Sequence, residues 1–192
     1  MLNIQGAGHA PNEAAMDEDN VIRIAISACL LGQNVRYDGT NKLNALIVET
    51  LGPHVELVPF CPEVAIGLGI PRPPIHLVDL AGEVRAQGVA DSSLDPTEPL
   101  RDYGQQIAHQ PAGISGFIFK ARSPSCGVNN VKIFQNGKLI AETGTGLFAA
   151  EILKACPTLP IAQESDLETA EQCEVFYQRI LRYHDQQSIT KS

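Results

Sequence analysis

The chain has 192 residues, enough for one domain that buries roughly 70% of its unfolded surface around a real core. A hydrophobic content of 44% excludes an intrinsically disordered chain, and the longest apolar stretches, such as 64–70 and 114–119, fall far short of the ~18 residues that span a bilayer. Lys and Arg number 14 against 22 Asp and Glu, and the resulting charge of −8 opposes the counterion release that rewards binding to duplex nucleic acid; neither a membrane nor a nucleic acid is expected as a partner.

Residues 1–20 have no cationic start and no continuous apolar segment, so they read as a mobile tail and not as a signal peptide. Without an export signal, Cys29, Cys61, Cys126, Cys156 and Cys173 are expected in a reducing cytoplasm, where thiols stay free for metals or chemistry. From Val21 the chain alternates apolar strand runs with helical patterns. This is the habit of a single Rossmann-like α/β domain over 21–186, a mostly parallel sheet flanked by helices, with 187–192 as a second tail.

The first strand is expected at 21–27 (VIRIAIS), followed by a helix at 41–51 with Leu43, Leu46, Ile47 and Leu51 at helical spacing, ended by Gly52 and Pro53. A second strand covers 55–60 (VELVPF). Nine glycines and prolines between Gly52 and Pro74 mark a rigid loop around it. Residues 75–80 and 83–89 read as a hairpin about Ala81 and Gly82. A helix at 97–110 has Pro99 near its first turn, and a third strand follows at 114–120. A second hairpin, 131–134 with 139–141, turns at Asn136 and Gly137; both hairpins are expected to decorate the sheet. A helix at 143–155, a fourth strand at 159–162 and a helix at 166–184 complete the chain. The last helix places Cys173, Phe176, Tyr177, Ile180 and Leu181 on one stripe.

Cys29, Cys61 and Cys126 each lie just past the carboxyl end of an expected parallel strand, where open α/β sheets bind ligands. Three thiols 32 and 65 residues apart in sequence can therefore meet in space. No C-x-x-C pair of the zinc-ribbon kind occurs, so three loop thiolates suit an iron-sulfur cluster, or a zinc site with a fourth ligand other than cysteine. The bland alternative is three small buried hydrophobes. Cys156 and Cys173 are expected to be structural. The same loops hold Arg36, Lys42, Arg72, Lys120 and Arg122, cations that would favour thiolates or an anionic cluster.

Ser27 to Lys42 (SACLLGQNVRYDGTNK), Cys61 to Pro74 (CPEVAIGLGIPRPP), Ser123 to Gly127 (SPSCG) and Gly144 to Ala149 (GTGLFA) resemble the DUF523 family, which includes the thiouracil desulfidases. The resemblance implies a [4Fe-4S] cluster held by Cys29, Cys61 and Cys126, with one iron open for a substrate sulfur. It also implies Glu63 as catalytic carboxylate and Ser123 as catalytic hydroxyl. The chain departs from the family in having Ile75-His76 where Glu is common after the PRPP segment. The expected activity is non-redox removal of sulfur from a small thiocarbonyl compound resembling thiouracil. Glu63 would activate water as a general base and Ser123 would hydrogen-bond developing charge. The rival is a cluster-bearing sensor or carrier without turnover, in which Glu63 is only a structural partner of Arg72 or a loop amide. A metal-free cysteine nucleophile lacks a base, since His9, His54, His76, His109 and His184 all lie outside these motifs.

Overall fold

Ile24, Ile26 and Ile118 belong to one hydrophobic core and Ala25, Phe117 and Phe119 to another, the period-two alternation of strands covered on both faces. The computed structural model describes residues 21–109 and 113–190. Its elements run β1 (Arg23–Ser27), α1 (Ala45–Leu51), β2 (Glu56–Phe60), α2 (Pro62–Ala65), β3 (Ile75–Leu80), β4 (Glu83–Gly88), α3 (Thr97–His109), β5 (Ile114–Phe119), β6 (Val131–Gln135), β7 (Lys138–Gly144), α4 (Leu147–Ala155), β8 (Ile161–Gln163) and α5 (Ala170–Thr190). The central sheet has the order β2-β1-β5-β8 with every pairing parallel. On one face α1 and α5 supply Ile47, Leu51, Cys173, Phe176 and Ile180; on the other, α3 and α4 supply Ala108, Phe148, Ala149 and Ile152. This is the expected α/β fold, and among the described residues no helix is long and apolar enough to cross a membrane.

The close approach of α3 to α4 depends on a missing side chain. A Cβ on Gly104 of α3 would lie 2.8 Å from Cβ of Glu151 and 2.9 Å from the Phe148 carbonyl oxygen of α4, so a larger residue would force the pair apart.

The two hairpins do more than decorate the sheet. Leu77 and Val78 of β3 pair in parallel with Ile133 and Phe134 of β6, which joins the hairpins into a second four-stranded sheet, β4-β3-β6-β7. Leu77, Ala86 and Val131 of this sheet pack on Leu100 of α3 and Leu147 of α4 as a third core.

Several expected boundaries shift for local reasons. The helix expected from residue 41 starts at Ala45, because the Asn44 side chain caps it by accepting the Ile47 amide at 3.1 Å; Leu43 is left outside and exposed. The helix expected from 143 starts at Leu147, because β7 continues to Gly144. The last helix starts at Ala170 behind a 3-10 turn at Glu164–Asp166, and it reaches Thr190, so residues 187–190 are helical rather than a tail. The expected tail at 1–20 and the end of the 97–110 helix at Gln110 lie outside the described residues.

Candidate active site

Three turns at the carboxyl ends of β1, β2 and β5 build the site. Cys29 sits in a 3-10 turn, Ala28–Leu31, closed by Gly32 in the left-handed region at φ 83°. Its carbonyl accepts the Lys42 amide at 2.8 Å, which folds the 33–42 loop back over the strand end. Cys61 is the residue before α2, where Pro62 opens the helix and Glu63 occupies its first turn. Its Sγ lies 3.8 Å from the Val35 carbonyl oxygen as a donor. Cys126 sits in the 123–127 loop. There the Ser123 hydroxyl oxygen accepts the amides of Ser125 and Cys126 at 3.2 Å each, a side-chain-closed turn.

That last loop is fixed from behind by α4. The amides of Gly146, Leu147 and Ala149 donate to the carbonyls of Gly127, Pro124 and Ser125 at 2.7, 3.0 and 3.1 Å, satisfying helix N-terminal donors that have no intrahelical acceptor. A Cβ on Gly146 would sit 2.6 Å from the Ser125 carbonyl oxygen and 2.7 Å from the Cys126 nitrogen, so the contact requires glycine.

Cys29, Cys61 and Cys126 line one cavity of about 480 Å³. Cys156 and Cys173 do not: Cys173 is fully buried in the core under α5, and Cys156 packs against the core on the other face. Among the described residues no histidine lines the cavity; His54 packs on Tyr177, His76 on Phe134, and His184 bonds Ser115.

Glu63 and Ser123 both reach the cavity wall, with Arg36, Lys42, Arg72, Lys120 and Arg122. Glu63 is doubly held. Its Oε2 accepts Arg72 Nε at 2.8 Å and its Oε1 accepts the Ser125 hydroxyl at 2.8 Å. Lys120 pairs with Glu164, and Arg36 lies 3.5 Å from Asp38. The side chains of Lys42 and Arg122 have no partner among the described residues, so the wall carries uncompensated positive charge. Arg122 is itself strained, with a left-handed φ of 61°.

The cations pull Cys29 and Cys61 toward thiolate as expected, but burial outweighs them. Burial pushes Cys29 up to about 11, against the pull of Lys120 and Arg36, with Cys61 adding to the rise. Burial also raises Cys61, and it raises Cys126 further, with the charges of Glu63 and Cys61 adding to the effect and the Ser27 hydroxyl opposing it. In the metal-free polypeptide all three thiols are therefore protonated at neutral pH.

Two further residues support the cavity wall without lining it, in roles that the sequence alone does not show. Ser125 was visible inside the SPSCG loop, but nothing local says that its hydroxyl reaches back to Glu63. Glu164 follows β8 as the cysteines follow β1, β2 and β5, so the positional rule that selected the thiols also selects this carboxylate.

A family model described as 2-thiouracil desulfurase matches residues 24–164, a span that holds all three cavity cysteines. The chain belongs to this family. An uncharacterized Bacillus subtilis protein, YbbK, is 31% identical over 140 residues, covering 69% of this chain and 90% of that one. The solved structure of a [4Fe-4S]-dependent thiouracil desulfidase, TudS, superposes with a TM-score of 0.62 at 30% identity, covering 76% of this chain and 93% of that one.

Proposed function

We propose that the protein is a non-redox desulfidase that removes sulfur from a small thiocarbonyl compound of the thiouracil class, with a [4Fe-4S] cluster held by Cys29, Cys61 and Cys126. The observation that carries this reading is the arrival of three cysteines from three separate strand ends on one cationic cavity, in a chain that resembles a [4Fe-4S]-dependent desulfidase. The donor set fits the group. Three soft thiols suit iron and sulfide, and among the described residues no three His, Cys, Asp or Glu side chains are gathered closely enough to share a single ion. The cavity of about 480 Å³ that the thiols line has room for a body larger than an ion.

When bound, such a cluster supplies an iron with a vacant position, a soft Lewis acid toward thiocarbonyl sulfur. The chain's own residues supply the rest. Glu63 accepts a proton from the attacking water, while Arg72 and Ser125 hold its carboxylate in place and leave each oxygen a further lone pair. Ser123 already accepts two amides, so its hydroxyl proton is free to donate toward charge developing on the substrate. Lys42 and Arg122 offset negative charge in the cavity, and Phe60, Pro74 and Ile75 form an apolar part of its wall. Water oxygen replaces sulfur on carbon and sulfide leaves, so no electron donor or acceptor is required. Five free cysteines are suited to a reducing cytoplasm.

A second reading, a cluster-bearing sensor or carrier without turnover, is favoured by one observation: both carboxylate oxygens of Glu63 are engaged, one by Arg72 and one by Ser125, as those of a purely structural partner would be. Anaerobic purification tests both. Iron and sulfide at cluster stoichiometry together with sulfide release from thiouracil support the desulfidase. Full cluster loading with no sulfide from any thiocarbonyl compound supports the carrier, and an iron-free protein with intact thiols overturns both.

A further inference from the structure

The two sheets have four outer edges, and three are blunted. β2 carries Pro59, which cannot donate to a neighbouring strand. β8 is only three residues long. The outer edge of β4 is occupied: Thr97 Oγ1 bonds the amide and carbonyl of Ala86, Arg101 bonds the Val84 carbonyl at 3.0 Å, and the Gly88 amide bonds the Leu94 carbonyl at 2.8 Å. β7 differs. It runs for seven residues, among the described residues only β6 pairs with it, and Leu139 and Ile140 on it are 46% and 50% exposed. An open strand of this length bearing apolar side chains is a template for another strand.

Its sequence says which strand. Residues 138–142 read Lys-Leu-Ile-Ala-Glu. Turned antiparallel upon itself about Ile140, this segment sets Lys138 opposite Glu142, Leu139 opposite Ala141 and Ile140 opposite Ile140, and the charge pairing occurs twice by symmetry. Any other chain would need to supply that pattern, whereas a second copy supplies it automatically. Within one chain Glu142 also lies 3.3 Å from Lys132, so in the pair each Glu142 would sit between two lysines. We propose that β7 pairs antiparallel with β7 of a second copy of this chain, joining two four-stranded sheets into one of eight strands. A contact of one short strand per copy is smaller than a standard interface of ~1,600 Å², so the dimer is a weak, reversible one.

Sedimentation of the full chain tests this. The average mass should rise reversibly from one chain toward two as concentration approaches millimolar. Lys138→Glu sets Glu against Glu142, and Glu142→Lys sets Lys against Lys138, so each variant alone should associate roughly tenfold or more weakly. An equal mixture of the two variants restores both opposite-charge pairs and should form a heterodimer of wild-type strength. Both positions are exposed, and circular dichroism verifies that each variant is folded. A mass that stays at one chain to millimolar concentration overturns the proposal. So does a dimer that survives in both variants, which would place the contact on another face, or a mixture that associates no better than its parts.

Discussion

Arg72 joins three segments of the cavity wall, and removing it tests how that wall is held. Its side chain is 4% exposed and that of Glu63 13%. Nε meets Glu63, while Nη1 donates at 3.0 Å to the carbonyls of Val35 and Gly69. Arg72→Met keeps an unbranched apolar stem but removes every side-chain donor. Glu63 is then a nearly buried carboxylate with Ser125 as its remaining side-chain partner, and breaking such a pair from one side costs about 3–5 kcal/mol. At about 2–4 °C per kcal/mol for a chain of this size, the melting temperature of the metal-free protein should fall by about 10 °C. The double variant Arg72→Met with Glu63→Gln removes the orphaned charge and should recover about 2 kcal/mol, a coupling that urea unfolding of the four proteins of the cycle measures. A single-variant loss below about 1 kcal/mol, or a double variant no more stable than Arg72→Met, would falsify the assignment of Arg72 as the ion-pair partner that compensates the burial of Glu63.

Glu63→Gln keeps the shape but cannot accept a proton, so iron content should be unchanged while sulfide release falls by roughly 10²- to 10⁴-fold; full activity would remove Glu63 from the reaction. Changing Cys29, Cys61 or Cys126 to Ser should abolish most bound iron, measured per chain after anaerobic reconstitution, whereas Cys156→Ser should retain it. Burial raises Cys29 from 9.0 to about 11, so in the metal-free protein its alkylation rate should keep climbing about tenfold per pH unit beyond 9, where an unfolded cysteine levels off. Because the folded state holds that proton more tightly, the same shift makes metal-free stability fall as pH rises from 9 toward 11. Gly146→Ala drives a Cβ into the backbone of Ser125 and Cys126 and should cost about 1–3 kcal/mol, with iron binding weakened although no thiol is altered; normal stability and iron content together would contradict the close packing.

The positions of the three cysteines were legible because a rule connects sequence to place: thiols just past parallel strands share the sheet's carboxyl edge. The strands themselves were legible from unbroken apolar runs such as Ile24–Ile26 and Phe117–Phe119. The second sheet was not, since each hairpin announces its own turn but nothing in either states that β3 and β6 lie side by side; that pairing is decided by their common packing on α3 and α4. The net protonation of the thiols was not legible for a related reason. Cations are countable in a sequence, whereas the burial that outweighs Lys120 and Arg36 at Cys29 exists only in the folded chain. Likewise, Ser123 could be placed beside Cys126, but its two amide bonds belong to the geometry of the turn.

The bonds from the start of α4 to the 123–127 loop bear on how a metal centre would be assembled. A free five-residue loop loses about 1–2 kcal/mol of conformational entropy per residue when it is ordered, and a ligand that had to impose that order would bind correspondingly more weakly. Here the ordering is completed when α4 docks during folding, because the loop carbonyls are the acceptors that the helix amides need. Cys126 is therefore held in place by folding alone, and a metal centre assembled in this cavity would meet it as an already fixed thiol.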